Sequence, residues 1–134
     1  MTWRIELIPV PVSDVDRAKR FYHEQLGWAV DLDDRPAEGA RIVQLTPPGS
    51  ACSIMVGAGV VDSVPGSLRG VQVVVPDVEM ARAELVGRGV ECSPIRHYEN
   101  GVWLDGRGGR WNSFVFLSDP DGNGWVLQER PASD

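Results

Sequence analysis

Acid–base chemistry near neutral pH needs a histidine or carboxylate held against a reacting group. The sequence sets such residues close together at His97 and Glu99, inside Arg96-His97-Tyr98-Glu99-Asn100. They fall in a Gly-rich, polar stretch from about Cys92 to Asn112 that also carries Trp103 and Trp111. Loops of this length are often lids, with Trp103 as a stacking wall and His97 or Glu99 as the acid–base group. The other reading is an exposed loop whose tryptophans pack on a sheet edge. Cys52 has no histidine near it in sequence to lower its thiol pKa, so it reads as a small core filler. His23, beside Glu24 and near Arg20, reads as a solvated helical residue.

The elements that position these residues come from a repeat. Val10-Pro11-Val12-Ser13-Asp14-Val15-Asp16-Arg17-Ala18 lies over Val73-Val74-Val75-Pro76-Asp77-Val78-Glu79-Met80-Ala81 at an offset of 63. Each copy runs from a strand through an Asp into a helical pattern. Ser13 and Asp16 resemble a capping box, and Asp77 is placed to cap the second helix. Each helix stops at a glycine, Gly27 or Gly89. Ile42–Gly49 lies over Phe114–Asp121 at an offset of 72, two strands that each enter a Pro-containing turn and are followed by another strand. The fold class is α+β, with two modules, about 4–62 and 68–130, in one domain over 1–134, each reading strand, helix, then two or three strands (βαββ or βαβββ).

Alternation assigns the faces. One parity is almost uniformly aliphatic: Ile8, Val10 and Val12; Val43 and Leu45; Val71, Val73 and Val75; Val115 and Leu117. That face packs under the helices. The other parity carries Leu7, Pro9, Gln44, Gln72, Phe114, Phe116, Val126 and Gln128, and Cys52 is read with it. Apolar walls with a few hydrogen-bonding groups suit a ligand cavity, and they equally suit a half-buried sheet facing solvent or a partner. The three glutamines suggest polar recognition, though mutual hydrogen bonds or bound water account for them as well.

Bulk properties narrow the partners. With 43% hydrophobic and 24% charged residues, the 134-residue chain has the composition of a globular domain. A net charge of −6 argues against nucleic acid, and no polybasic cluster or apolar run of ~18 residues points to a membrane. Two cysteines form neither a disulfide framework nor a zinc motif. Free thiols and the absence of a secretory leader read as cytoplasmic.

Three stretches carry a resemblance: Ile5 to Tyr22, ending Val-Ser-Asp-Val-Asp-Arg-Ala-Lys-Arg-Phe-Tyr; Gly70 to Leu85; and the turn Asp119-Pro120-Asp121-Gly122-Asn123. Together they resemble the vicinal oxygen chelate superfamily, the glyoxalase, bleomycin-resistance and extradiol-dioxygenase group. The resemblance implies paired modules whose sheets curl into a cup, a homodimer, and, in active members, a divalent metal at four positions on the first and last strands. Those positions fall here on Leu7 and Gly70, five residues before the Val of each Val-x-Asp, on Val126, and on its counterpart Ile54. None has a metal-donating side chain, so lyase or dioxygenase chemistry, which needs the metal, is not supported there. A one-residue slip or bulge at Gly124 would instead turn Glu6 and Glu129 inward, at the cost of turning Ile8, Val10 and Val12 away from their helix. The expectation is a metal-free cavity, without cofactor, that binds a small aromatic or amphiphilic molecule through Leu7, Pro9, Gln44, Cys52, Ile54, Gln72, Trp103, Phe114, Phe116, Val126 and Gln128. The alternatives are a metal-dependent lyase or dioxygenase with displaced ligands, or a metal-free isomerase.

Overall fold

A computed structural model of the chain describes residues 1–132. Its elements divide into two compact units, one holding residues 1–68 together with 119–123, the other holding 69–118 and the chain from 124 onward. In the first unit the order is β1 (Leu7–Pro9), α1 (Val15–Arg20) continued by a π-helical turn (Phe21–Gln25), β2 (Ala29–Asp34), β3 (Arg41–Thr46) and β4 (Ser53–Ala58). The sheet runs β1-β4-β3-β2, with β1 parallel to β4 and the other pairs antiparallel. A helical crossover is what allows the parallel pair.

Helix α1 begins where Asp14, in extended backbone, accepts the Arg17 N–H at 3.0 Å. The cap expected at Ser13 is therefore displaced by one residue, to Asp14. The Ser13 hydroxyl instead donates to Asp121 Oδ1 at 2.5 Å. Beneath the helix lie Val10, Val43, Leu45, Ile54 and Val56, buried with Ala18, Phe21 and Tyr22, each large aliphatic contributing about 1.5–3 kcal/mol by leaving water. Tyr22 packs edge-on to Phe21 and stacks on Trp28. On the unit's surface Arg41 grips Asp33 through two nitrogens, at 3.0 and 2.8 Å, and reaches Asp16 at 2.7 Å, while Lys19 reaches Asp33 at 2.8 Å. This clamp ties the β2–β3 hairpin to α1. The hydrogen bonds from Arg41, then Lys19, hold the Asp33 carboxyl well below the usual carboxylate range.

The segment 119–123 is the polar center of the first unit. Asp119, almost fully buried, accepts from the Tyr22 hydroxyl at 2.7 Å and from the Asn123 amide and backbone N–H groups at 2.8 and 2.9 Å. Asn123, with no exposed surface, also donates to the Pro11 carbonyl at 2.8 Å and accepts from Leu68 N–H at 3.0 Å. Gly122, at φ 94, closes the turn by donating to the Asp119 carbonyl, a conformation that favours glycine.

The second unit runs β5 (Val71–Val75), α2 (Val78–Gly87), β6 (Arg96–Glu99), β7 (Val102–Asp105), β8 (Phe114–Ser118) and β9 (Gly124–Glu129), with strand order β5-β9-β8-β6-β7. Asp77 caps α2 by accepting the Met80 N–H at 2.9 Å. The helix ends in a Schellman turn, with Val90 N–H donating to Leu85 and Gly89 N–H to Val86; the side chains of Val90 and Leu85 are buried. This module has one strand more than the βαβββ expected. The extra strand comes from Cys92–Asn112, read from sequence as a loop. Asn100 and Gly101, at φ 50 and 85, form a two-residue turn between β6 and β7, the conformation that Asn-Gly favours in hairpins. Among the described residues no helix is long and apolar enough to cross a membrane.

Candidate ligand cavity

The face of the second sheet turned away from α2 is set by the register around β9. Val126 stands between Gln72 on β5 and Phe116 on β8, and Gln128 pairs with Phe114. Trp125 and Leu127, on the opposite parity, are buried with Val115 and Leu117, as alternation requires. On the far side of β8, the β6–β7 hairpin sets Tyr98 opposite Trp103. The Trp103 ring meets Phe114, Phe116 and Tyr98 at centroid distances of 5.2, 5.0 and 5.2 Å, near perpendicular to both phenylalanines. Such edge contacts fix a ring's orientation, yet Trp103 remains 47% exposed.

Gln72, Tyr98, Trp103, Phe114, Phe116 and Val126, with Gly70 and Asn112, line an open cavity of about 390 Å³. No charged side chain lines it. Asn112 braces the wall: its Oδ1 accepts Tyr98 N–H and its Nδ2 donates to the Tyr98 carbonyl, both at 2.9 Å. Gly108 permits the close approach of that loop, because a Cβ there would lie 2.4 Å from the Asn112 carbonyl oxygen and 2.8 Å from His97 Cβ. Sequence reasoning missed Tyr98 and Asn112 as wall residues. The Asn-Gly pair was the available signal, since a hairpin there puts Tyr98 across from Trp103.

Of the residues singled out from sequence, Gln72, Trp103, Phe114, Phe116 and Val126 come together at this cavity. Gln128 donates from Nε2 to the Trp111 carbonyl at 2.8 Å and lies outside the lining. Leu7, Pro9, Gln44, Cys52 and Ile54 belong to the first unit. There Leu7 pairs with Ser53, Pro9 with Met55, and Gln44 with Met55, so these five residues share one face. Ile54 pairs with Ile8 and Leu45 and is buried on the helix side. This corrects the expectation for Ile54 and, by parity, for Cys52, which precedes β4. The cause is a register difference. Thr46 lies across from Ser53 and Ser118 from Gly124, so the first connection is one residue longer and the 72-residue offset drops to 71 at the last strand. Met55 is the true counterpart of Val126.

The three glutamines also differ. Gln44 donates to the Ser53 hydroxyl at 3.2 Å, and that hydroxyl contacts Thr46 Oγ1 at 2.7 Å, which in turn donates to Asp31. The Gln72 amide has no partner among the described residues, and it borders the cavity.

His97 and Glu99 lie on the parity opposite Tyr98, away from the cavity wall. The imidazole is held between the Gly106 carbonyl, 2.9 Å from Nδ1, and Glu99 Oε2, 3.2 Å from Nε2. With an acceptor at each nitrogen, the Gly106 carbonyl first and Glu99 second raise its pKa above the ordinary histidine value. The pair braces the hairpin. Glu129 likewise faces the helix side, where its carboxylate accepts Val78 N–H at 3.0 Å and binds Arg107, so the slip that would turn it inward does not occur. Glu6 is exposed. Burial raises the Cys92 thiol pKa, which disfavours a thiolate nucleophile.

The metal that active relatives of such folds hold finds no donor set here. Leu7, Gly70 and Val126 offer no heteroatom, and the fourth position, Met55, offers only a thioether, a poor partner for hard divalent ions. Among the described residues no three of His, Cys, Asp and Glu gather where they could hold a metal ion.

Comparison with known proteins agrees with this architecture. No curated protein matches the chain. Among solved structures, TnmS3, an antibiotic binding protein from Streptomyces sp. CB03234, is 32% identical over 96% of this chain and 97% of its own, with a TM-score of 0.77. A glyoxalase/bleomycin resistance protein from the same organism is 33% identical over 93% and 99%, TM-score 0.74. A superfamily member from Sphaerobacter thermophilus DSM 20745 is 25% identical over 96% and 98%, TM-score 0.77. Residues 4–127 match the family model as well, and the chain belongs to the Glyoxalase/Bleomycin resistance protein/Dioxygenase superfamily.

Proposed function

We propose that this chain is a binding protein that holds a small aromatic or amphiphilic molecule against Trp103, Phe114 and Phe116 without a metal ion. The observation that carries the reading is a cavity with four aromatic walls and no charged residue among the described lining, bordered by the exposed Gln72 amide, which has no partner among the described residues. A planar apolar group gains by stacking there, and the amide supplies one directional contact. The antibiotic-binding relative supports the same class of role. Two free thiols fit a cytoplasmic setting, and family habit suggests a homodimer.

Fluorescence titration with a panel of planar aromatic compounds tests the reading, because a ligand beside Trp103 alters its emission. Trp103→Ala and Phe116→Ala should each weaken binding by roughly ten-fold or more, on the scale of one lost aromatic contact. Unchanged affinity in both folded variants would refute the cavity assignment. Elemental analysis of protein purified without chelator is the second arm. Stoichiometric Ni, Zn, Mn or Fe, with a raised melting temperature, would replace binding by metal-dependent catalysis.

A further inference from the structure

The loop between β7 and β8, Gly106-Arg107-Gly108-Gly109-Arg110-Trp111-Asn112-Ser113, carries two arginines in a chain whose net charge is −6. Its shape is fixed from within. Gly108 N–H donates to the Asn112 carbonyl at 3.0 Å and to the Ser113 hydroxyl at 3.2 Å, and Asn112 N–H donates to the Gly109 carbonyl at 3.1 Å. Trp111 stands at φ 64, a conformation that costs a bulky residue about 1–3 kcal/mol, and Gln128 holds it through its carbonyl. Beside this loop lies a second cavity, of about 170 Å³, lined by Arg107, Arg110, Trp111, Ser113, Glu129 and Pro131. All six belong to the second unit. Glu129 binds the start of α2 and Arg107 reaches Glu79 on that helix at 3.2 Å, which puts this cavity on the α2 side of the sheet, across from the aromatic walls. Asn112 borders both.

Charge and donors decide what such a cavity takes. Its lining sets two guanidinium groups, Arg107 and Arg110, against one carboxylate, Glu129. That carboxylate is committed, one oxygen to Arg107 and the other to Val78 N–H at 3.0 Å. Donor capacity is left over at two places. Ser113, only 2% exposed, accepts from Gly108 N–H, and its own proton finds no acceptor among the described residues. Gly109 N–H has none among them either, and a Cβ built on Gly109 would meet nothing within 4 Å, so its backbone can be approached closely. Spare donors beside a guanidinium in excess suit an anion, while Trp111 and Pro131 add apolar surface. We propose that this cavity is a second binding site, separate from the aromatic one, and that it takes a small carboxylate with an apolar body. Arg110 pairs with the carboxylate, Ser113 and Gly109 donate to its oxygens, and the body lies against Trp111. One negative charge balances the lining; a phosphate dianion exceeds it.

An NMR titration of the full chain with butyrate, at constant ionic strength, tests this. Saturable shifts should centre on the Gly109 and Ser113 amides and the Trp111 indole. Arg110→Gln should weaken binding by roughly ten-fold, the loss of one charge-assisted pairing. Arg96→Gln changes the net charge equally but lies outside the cavity, and it should leave the affinity unchanged. Butyramide, of the same shape without the charge, should not bind, and inorganic phosphate should bind more weakly than butyrate. The amide spectrum of each variant also reports its fold. Shifts that never saturate or that centre elsewhere overturn the proposal, as does an Arg110→Gln variant that binds like the wild type. An equal loss in Arg96→Gln, or binding of butyramide, overturns it by reducing the effect to bulk charge or apolar contact. Phosphate binding more tightly than butyrate overturns the choice of a carboxylate.

Discussion

The open faces of the two sheets share a strand plan and differ in what their side chains do. On the first, Gln44, Ser53, Thr46 and Asp31 hydrogen-bond to one another, leaving a face whose polar groups are satisfied within the protein. On the second, Trp103, Phe114 and Phe116 hold one another edge-on, and the Gln72 amide has no partner among the described residues. Two related modules thus leave one face closed by its own hydrogen bonds and the other open, the face on which ligand binding is proposed. Closed polar networks stabilise without recognising anything; open amides beside aromatic rings do the reverse.

The contrast can be broken most forcefully at the buried center of the first unit. Asn123→Ala removes the partner of Pro11, Leu68 and Asp119, and urea unfolding should show a loss of about 3 kcal/mol, the scale of orphaned buried polar groups. Phe116→Ala in the second unit should cost about 2 kcal/mol or less, because the ring is half-buried, while removing most ligand affinity. A protein that loses more stability at Phe116 than at Asn123 would reverse the assignment of roles. The amides sharpen the comparison: Gln44→Leu should destabilise by about 1 kcal/mol, whereas Gln72→Leu should leave the melting temperature unchanged and weaken binding several-fold. Equal melting shifts in the two would remove the distinction.

The smallest expected effects are in pH. Arg41 and Lys19 depress the pKa of Asp33, so its contribution to stability is present above the unfolded carboxylate value of about 4 and fades as pH falls toward the folded value. The Gly106 carbonyl and Glu99 raise that of His97; its contribution is full below the unfolded value of about 6.5 and fades as pH rises through the folded one. The first unit's clamp thus weakens on the acid side and the second unit's brace on the alkaline side. Both groups are solvent-accessible, so screening keeps the effects small. An NMR titration should place His97 above the ordinary histidine value, and Glu99→Gln should lower it; a normal titration would dismiss the brace.

The start of α2, most of the sheet faces and the pairing of Phe114 with Phe116 on one face were legible in the sequence because each rests on a local pattern. Val43 and Leu45 alternate with Gln44, and Phe114 and Phe116 with Val115, so parity alone separated buried from open positions. What failed depended on counting between elements. Ser13 and Asp14 are both good caps, and only the distant Asp121, which draws Ser13 away, decides between them. The extra residue between Thr46 and Ser53 moved Met55 into the place expected of Ile54, since one residue flips every side chain across a sheet. The β6–β7 hairpin was hidden by the glycines and charges around it, although Asn100-Gly101 marked its turn. That omission left His97 and Glu99 in a loop, read either as a lid or as exposed, when strand parity points them away from the cavity.

The turn 119–123 is encoded between β8 and β9, more than fifty residues after the rest of the unit it completes. A chain cut after Leu68 would carry a full strand-helix-strand repeat and still lack the acceptor for the Tyr22 hydroxyl and the donor to Pro11. The first unit cannot complete these buried hydrogen bonds until residues 119–123 have been translated. Engineering that transplants the first repeat into another scaffold must therefore carry these five residues along with it.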